Sequence, residues 1–245
     1  MRLSPLAAAA FSSLLLSGVP APATLELPGK PDVEAALRQG RDRLSNYFWR
    51  LRTQVMIDGD LRIEKLEDAS LAPNGSLLPS KTIRFERKPA VVRFPENDPR
   101  SRLERPPTAE EEDRLSALGM DLLQLYASLT PERLGSWART AEMKLPDPDR
   151  PGRFRLVGRG LGRPLDEVTL YLDVGTLAAT EVEVKTTVQA AVKDIAFLRI
   201  QFEPLPEPSP AAVGLRIPKR IFLNMTVGRR RVTFDMETAD WRSLP

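Results

Sequence analysis

The sequence predicts an α+β fold, an antiparallel β-sheet with one buried face on which a pair of helices docks. The first observation is the stretch DEVTLYLDVGTLAATEVEVKTTVQAAVKDIAFLRIQFEPLP, residues 166–206. Val168, Leu170, Leu172 and Val174 alternate with Thr169, Tyr171 and Asp173, and Val182, Val184 and Val188 alternate with Glu181, Glu183, Lys185 and Thr187. Period-two alternation of apolar and charged sets describes consecutive strands with one buried side. The second observation is a capped helical stripe, TAEEEDRLSALGMDLLQLYASL, with Leu115, Leu118, Leu122, Leu125, Tyr126 and Leu129 at spacings of three and four. The third is a set of two-residue turns between alternating runs, Asp58-Gly59 and Gly228-Arg229.

From the start of the chain, MRLSPLAAAAFSSLLLSGVPAPA carries one positive charge at Arg2, an apolar run from Leu6 to Leu16, and Ala21 and Ala23 in an A-x-A arrangement. That pattern is a cleavable secretory signal over residues 1–23, with cleavage expected after Ala23. The apolar run is shorter than the roughly 18 residues that cross a bilayer, and no Cys follows it to be lipidated. The mature chain, residues 24–245, is then expected to be one domain without a transmembrane span. A Pro-containing linker leads to Asp32, a good N-cap for a short helix over residues 33–44.

In NYFWRLRTQVMIDGDLRIEKLEDA, Tyr47, Trp49, Leu51, Val55 and Ile57 share one face, and Arg50, Arg52 and Gln54 the other. Asp58-Gly59 turns the chain into a return strand beginning with Leu61 and Ile63. Asn74-Gly75 marks another turn before a strand over residues 82–87, and residues 90–94 read as a further one. A charged, Pro-rich linker over residues 96–107 precedes a helical insertion at about 108–143. Thr108 and Glu111 form a capping box there, with the following acids placed in the favourable first turn. Thr130-Pro131 starts a second helix bearing Leu134, Trp137, Ala138 and Ala141.

A turn over residues 147–152 leads to a strand over 153–157. Gly158, Gly160 and Gly162 are expected to loosen the chain before the central strands. Ile195, Ala196, Phe197 and Leu198 are apolar on both faces, so a cover is expected over the outer face as well. A Pro-rich loop over residues 203–214 then leads to a closing hairpin. Its Ile221, Leu223, Met225 and Val227 face Val232, Phe234 and Met236.

Composition removes several classes of function. Of 245 residues, 42% are hydrophobic and 28% charged, as in a water-soluble globular chain. There are 36 Lys+Arg against 33 Asp+Glu; loss of Arg2 leaves 35 against 33, a net of +2. The pI near 9.3 therefore reflects a small Arg excess and not a basic field for nucleic acid. With no Cys and no His, disulfides, thiolate chemistry, Cys-based metal sites, the His-containing triad and the commonest metal ligand are absent. No cofactor, metal site or catalytic residue is expected.

The pairs Glu181/Glu183 and Asp235/Glu237 each sit i, i+2 on a strand, about 6 to 7 Å apart, which overlaps a glycosidase separation. A carboxylate-only hydrolase is the reading they would carry, and a solvated outer face is the plainer one. Asp147-Pro148-Asp149 lacks the further oxygens of a calcium loop. The glycines at 158, 160 and 162 do not join a strand to a helix, as a phosphate cradle does. Arg229, Arg230 and Arg231 at a hairpin tip are candidate contacts for an anionic partner.

The order of these elements, with NYFWRLRTQV, LYLDVGTLAATEVEVKT and IPKRIFLNMTV, resembles secreted bacterial proteins similar to the periplasmic outer-membrane lipoprotein carriers, the LolA/LolB-like group. The resemblance implies a curved antiparallel sheet, a half-barrel, wrapping the helix pair and leaving an apolar cavity for acyl chains. In some members of the group an arginine lies near the cavity, and the resemblance does not say which arginine that is here. On this reading the inner face is formed by Trp49, Leu51, Leu170, Leu172, Val182, Val184, Ile200 and Leu223, with Leu122 from the first insertion helix. The expected function is non-enzymatic binding of a lipid or acyl chain by a periplasmic or secreted carrier or sensor. The alternative is an envelope protein–protein module using a sheet edge or the arginine tip.

Overall fold

The structure is a computed structural model that describes residues 47–71, 77–91, 105–127, 131–144, 152–174, 178–188, 194–204 and 216–243. The signal segment, the helix expected over 33–44, Asn74-Gly75, residues 92–94, the 147–149 turn and most of the Pro-rich loop lie outside these residues.

Among the described residues ten strands form a single sheet: β1 (Tyr47–Ile57), β2 (Asp60–Leu71), β3 (Leu77–Arg87), β4 (Glu142–Lys144), β5 (Arg153–Arg159), β6 (Glu167–Asp173), β7 (Ala179–Thr187), β8 (Ile195–Pro204), β9 (Arg216–Val227) and β10 (Arg230–Ser243). Two helices, α1 (Ala109–Ala127) and α2 (Pro131–Thr140), lie between β3 and β4 in the chain. The strand order is β3-β2-β1-β10-β9-β8-β7-β6-β5-β4, every pairing antiparallel. Among the described residues the sheet is unclosed, with β3 and β4 at its edges. Among the described residues no helix is long and apolar enough to cross a membrane.

Turn chemistry sets the hairpins. Asp58 and Gly59 both have positive φ, 53° and 89°, as a type I′ turn requires. Gly228, at φ 61°, supplies the one left-handed position that a II′ turn needs.

Register aligns one residue from each of nine strands. Gly158 opposes Val168, Val168 opposes Val184, Val184 opposes Leu198, and Leu198 opposes Leu223. Leu223 opposes Phe234, Phe234 opposes Val55, Val55 opposes Ile63, and Ile63 opposes Arg87. Opposed residues point to the same side of a sheet, so this row belongs to one face. Both helices sit over it. A Cβ added at Gly119 of α1 would overlap the Phe234 ring, and one added at Gly158 would stand 2.8 Å from Nε1 of Trp137 in α2. The helix stripe therefore docks on the sheet, as its apolar spacing predicts.

Several expectations change in detail. Residues 88–91 do not continue as a strand. The short strand β4 after α2 was not expected, and β10 continues to Ser243 past the anticipated end at Glu237. Gly158 and Gly162 do not loosen the chain: they mark close approach, the latter with an added Cβ 2.7 Å from Tyr126 Cε1. The outer cover expected over Ile195–Leu198 is also corrected. Ile195 is 61% exposed, and what lies near Phe197 is the Arg199 guanidinium, 5.4 Å from its ring.

Candidate functional site

Helix α1 defines the site by what it covers. Its buried positions are Glu112, Leu115, Gly119, Leu122, Leu123 and Tyr126, an i, i+3, i+4 line with a carboxylate at one end and a phenol at the other. At about 1.5 Å per residue the 19-residue helix is about 28 Å long. That is close to six inter-strand spacings of about 4.8 Å, the span from β2 to β6. It crosses the strands and packs on β9 and β10.

Three acids at its start meet three arginines from different strands. Glu111 accepts from Arg230 of β10 at 3.0 Å, Glu112 accepts from Arg62 Nε of β2 at 2.7 Å, and Asp113 pairs with Arg87 of β3. Thr108 still caps the helix by accepting from the Glu111 N–H at 3.2 Å, but the Glu111 carboxylate is engaged by Arg230. Arg62 and Glu112 are 5% and 1% exposed, so this is a desolvated pair. The register shift between Val55 and Met56 makes Arg62 the extra residue of a bulge and turns it to the helix side. A bulge leaves only a break in alternation in the sequence, which is why Arg62 was not singled out. It is the buried arginine on this face among the described residues.

The other end of α1 is fixed by Asp166, which is 1% exposed. Its carboxylate accepts from Tyr126 Oη at 2.6 Å, from the Gly162 N–H at 3.0 Å, and from Thr186 Oγ1 and the Arg163 N–H. Burial and the hydrogen bond to Asp166 push the Tyr126 phenol well above its ordinary range. The Arg163 guanidinium donates in turn to the carbonyls of Thr187 and Val188. The 160–166 loop is thereby tied both to the helix and to the end of β7.

The eight strand residues proposed for the inner face do share one face, by register and burial. They differ in access. Leu51, Leu170, Leu172, Val184 and Leu223 are at most 3% exposed, as is Leu122 of α1. Trp49 is 1% exposed and stacks on Trp241 with ring centroids 4.3 Å apart, closing one end of the core. Val182 and Ile200 are only partly buried, and Ile221 joins them through the Ile200–Ile221 register. These three are neighbours on β7, β8 and β9, one row away from the row under α1. The same row continues through Met236 and Thr53 to half-buried Lys65 and to Phe85 on β3, which is 56% exposed. It forms a partly open apolar strip with a cation toward one end, where Lys65 lies 2.6 Å from buried Glu67.

The candidate acid pairs are held by arginines. Arg199 reaches Glu183 at 2.7 Å and Glu181 at 3.2 Å, and Arg220 holds Asp235 in a bidentate pair. Glu181 is 4% exposed, so the solvated-face reading is wrong for this residue. The arginine tip divides. Arg230 is drawn inward onto Asp58 at 2.8 Å and Glu111 at 3.0 Å, whereas Arg229 and Arg231 remain exposed. Arg230 opens β10 on the helix-facing side, two residues before Val232, which is why its neighbours point elsewhere.

No protein-family model and no curated protein sequence matches the chain. The chain is similar to a LolA superfamily protein, NE2245 of Nitrosomonas europaea, with 11% identity, TM-score 0.45, and coverage of 89% of this chain and 96% of that one. It is also similar to MucB solved in complex with MucA(peri), with 10% identity, TM-score 0.22, and coverage of 87% and 99%. In the MucA/MucB complex structure of Pseudomonas aeruginosa the corresponding values are 11%, 0.21, 87% and 99%. At these identities and scores no ligand or partner transfers to this chain, and function has to be argued from the face itself.

Proposed function

We propose that the chain is a non-enzymatic periplasmic or secreted protein that holds an apolar ligand, such as a lipid or lipoprotein acyl chain, as a carrier or sensor. The observation that carries this reading is the half-open strip of Val182, Ile200 and Ile221 inside an otherwise closed apolar face. An alkyl tail laid on it gains about 0.8 kcal/mol for each CH₂ removed from water. Partly buried aliphatics flanked by a closed row would give that tail a preformed, mostly apolar bed.

The test is native mass spectrometry and solvent extraction of residues 24–245 purified from an envelope fraction, with titration by a fluorescent fatty acid. Co-purifying lipid, and probe binding weakened at least tenfold by Ile200→Asp, are expected. Bare protein that also fails to bind the probe would remove the proposal.

A second reading, an envelope protein–protein module, has its own observation. Edge strand β3 exposes Ile83 at 44% and Phe85 at 56%, and an open edge can accept an extended partner segment. A pull-down from envelope extract that loses its partner on Phe85→Lys, with probe binding intact, would favour it.

A further inference from the structure

We infer that one end of the sheet is a docking surface for an anionic lipid bilayer, an inference that goes beyond the cargo reading and does not depend on it. The surface is built by three neighbouring connections: residues 160–166 between β5 and β6, the Asp194-Ile195 start of β8, and the Gly228-Arg229 turn between β9 and β10. Antiparallel register brings all three to the same end of their strands.

The connections are tied together. Arg163 bonds the carbonyls of Thr187 and Val188, and the Asp194 carboxylate accepts from the Gly228 N–H at 3.0 Å. On this braced end Leu165 is 80% exposed and Ile195 61% exposed, the two most exposed large hydrophobics among the described residues. Arg229 and Arg231 are exposed beside them, with no acidic partner among the described residues. Acids nearby are already engaged: Asp58 by Arg230 and the Arg231 N–H, Asp194 by Gly228, Glu167 by Arg159, and Asp166 by four donors. Asp194 and Asp166 keep their charge, because their donors are neutral, but Asp166 is buried beside the Arg163 guanidinium, which bonds only carbonyls. On the exposed side of the connections Arg229 and Arg231 outweigh Asp194, and their charge, being arginine, is independent of pH.

A bilayer fits this pattern better than a protein partner does. Protein interfaces rest on a contiguous buried core, whereas Leu165 and Ile195 stand on separate connections, and the set reaches across roughly four strand spacings, about 19 Å. Separate apolar tips flanked by arginine suit shallow insertion into the headgroup region, where apolar burial and attraction to anionic lipid add.

Co-sedimentation of residues 24–245, which contain every described element, with vesicles of phosphatidylglycerol and phosphatidylethanolamine tests the inference. Vesicles of phosphatidylcholine alone serve as the neutral arm. Binding to the anionic vesicles at low salt is expected, released at ~0.5 M salt. Arg229→Gln with Arg231→Gln is expected to weaken it roughly 30-fold, which corresponds to about 1 kcal/mol per arginine. Leu165→Ser with Ile195→Ser is expected to weaken it roughly tenfold, with unchanged circular dichroism for both variants. Equal binding to neutral vesicles, or wild-type binding by both double variants, would overturn it. So would retention on immobilised polyglutamate without sedimentation on anionic vesicles. Acyl-probe binding is read separately, so failure here leaves the cargo proposal standing and the reverse also holds.

Discussion

Substituting Gly119 by Ala tests the docking of α1 directly, because local and tertiary physics predict opposite signs. In an isolated helix Gly→Ala is worth about 1 kcal/mol of added stability. Here the new methyl group would overlap Cε2 and Cζ of Phe234 and lie 3.0 Å from Cδ2. Phe234 is 0% exposed, and its register neighbours Val55 and Leu223 are 3% and 0% exposed, so the ring has little room to withdraw. Overpacking costs about 1–3 kcal/mol, and overlap with two carbons of a fully buried ring belongs in the upper half of that range, about 2–3 kcal/mol. Net of helix propensity, a loss of about 1–2 kcal/mol is expected, a fall in Tm of roughly 3–6 °C for a domain of this size. Urea and thermal unfolding followed by circular dichroism measure it. Phe234→Leu, costly in the wild-type background, is expected to recover stability when combined with Gly119→Ala, because the smaller side chain vacates the overlap. A Gly119→Ala protein as stable as wild type, or more so, would show that α1 does not lie against β10.

Two further outcomes follow from the polar ends of α1. Glu112→Ala or Arg62→Met, each leaving one buried ion alone, is expected to cost about 3–5 kcal/mol, whereas Arg62→Met with Glu112→Leu should return to within about 1 kcal/mol of wild type; denaturant midpoints of the three variants decide this. Alkaline stability is set in part by Tyr126. Its folded pKa lies above the unfolded value of 10.0, so the folded state retains a proton that the unfolded state loses. Stability is fully present below pH 10 and falls above it, at up to about 1.4 kcal/mol per pH unit. Tyr126→Phe should flatten that slope between pH 10 and 11, measured by urea midpoints, while lowering stability at neutral pH by leaving Asp166 one donor short.

The sheet was legible because its strands obey a simple period. Alternation in β1, β6 and β7 identified the buried face residue by residue, and Asp58-Gly59 and Gly228-Arg229 located two turns whose φ angles bear out the sequence signal. What the sequence hid lies where alternation breaks or where one residue serves two purposes. Arg62 reads as an outward-facing strand arginine until the bulge at Val55/Met56 turns it inward. Glu111, Glu112 and Asp113 satisfy the helix-dipole rule in the sequence, so nothing there signals that each also has an arginine partner. Gly119 looks like a weak point in a leucine stripe, yet it is the contact on Phe234. Access to solvent was equally invisible, since Ile200 and Leu198 look alike in the sequence, yet Leu198 is buried and Ile200 only partly so.

On the carrier proposal the partly buried strip, and not the closed rows beside it, is the working surface. Same-face residues recur about every 6.8 Å along a strand, and a helix with its side chains is about 10 Å across, so one crossing helix covers between one and two rows. Strands β9 and β10, of 12 and 14 residues, present five or more such rows. Within the described residues both helices lie over this face, and in the row beside the Phe234 row Leu170 and Met236 are closed while Val182, Ile200 and Ile221 are only partly buried. Ordinary evolution of a core would enlarge those side chains or shift the helix toward them. The three arginines at one end of α1 and Asp166 at the other instead fix the helix over the Phe234 row. On the carrier proposal, a fixed helix with a partly buried aliphatic strip beside it would hold a ligand without needing to rearrange, which lowers the entropic cost of binding. Polar locks at both ends of α1 are thus what keep the strip open, and loosening them by Arg62→Met is expected to reduce acyl-probe binding along with stability.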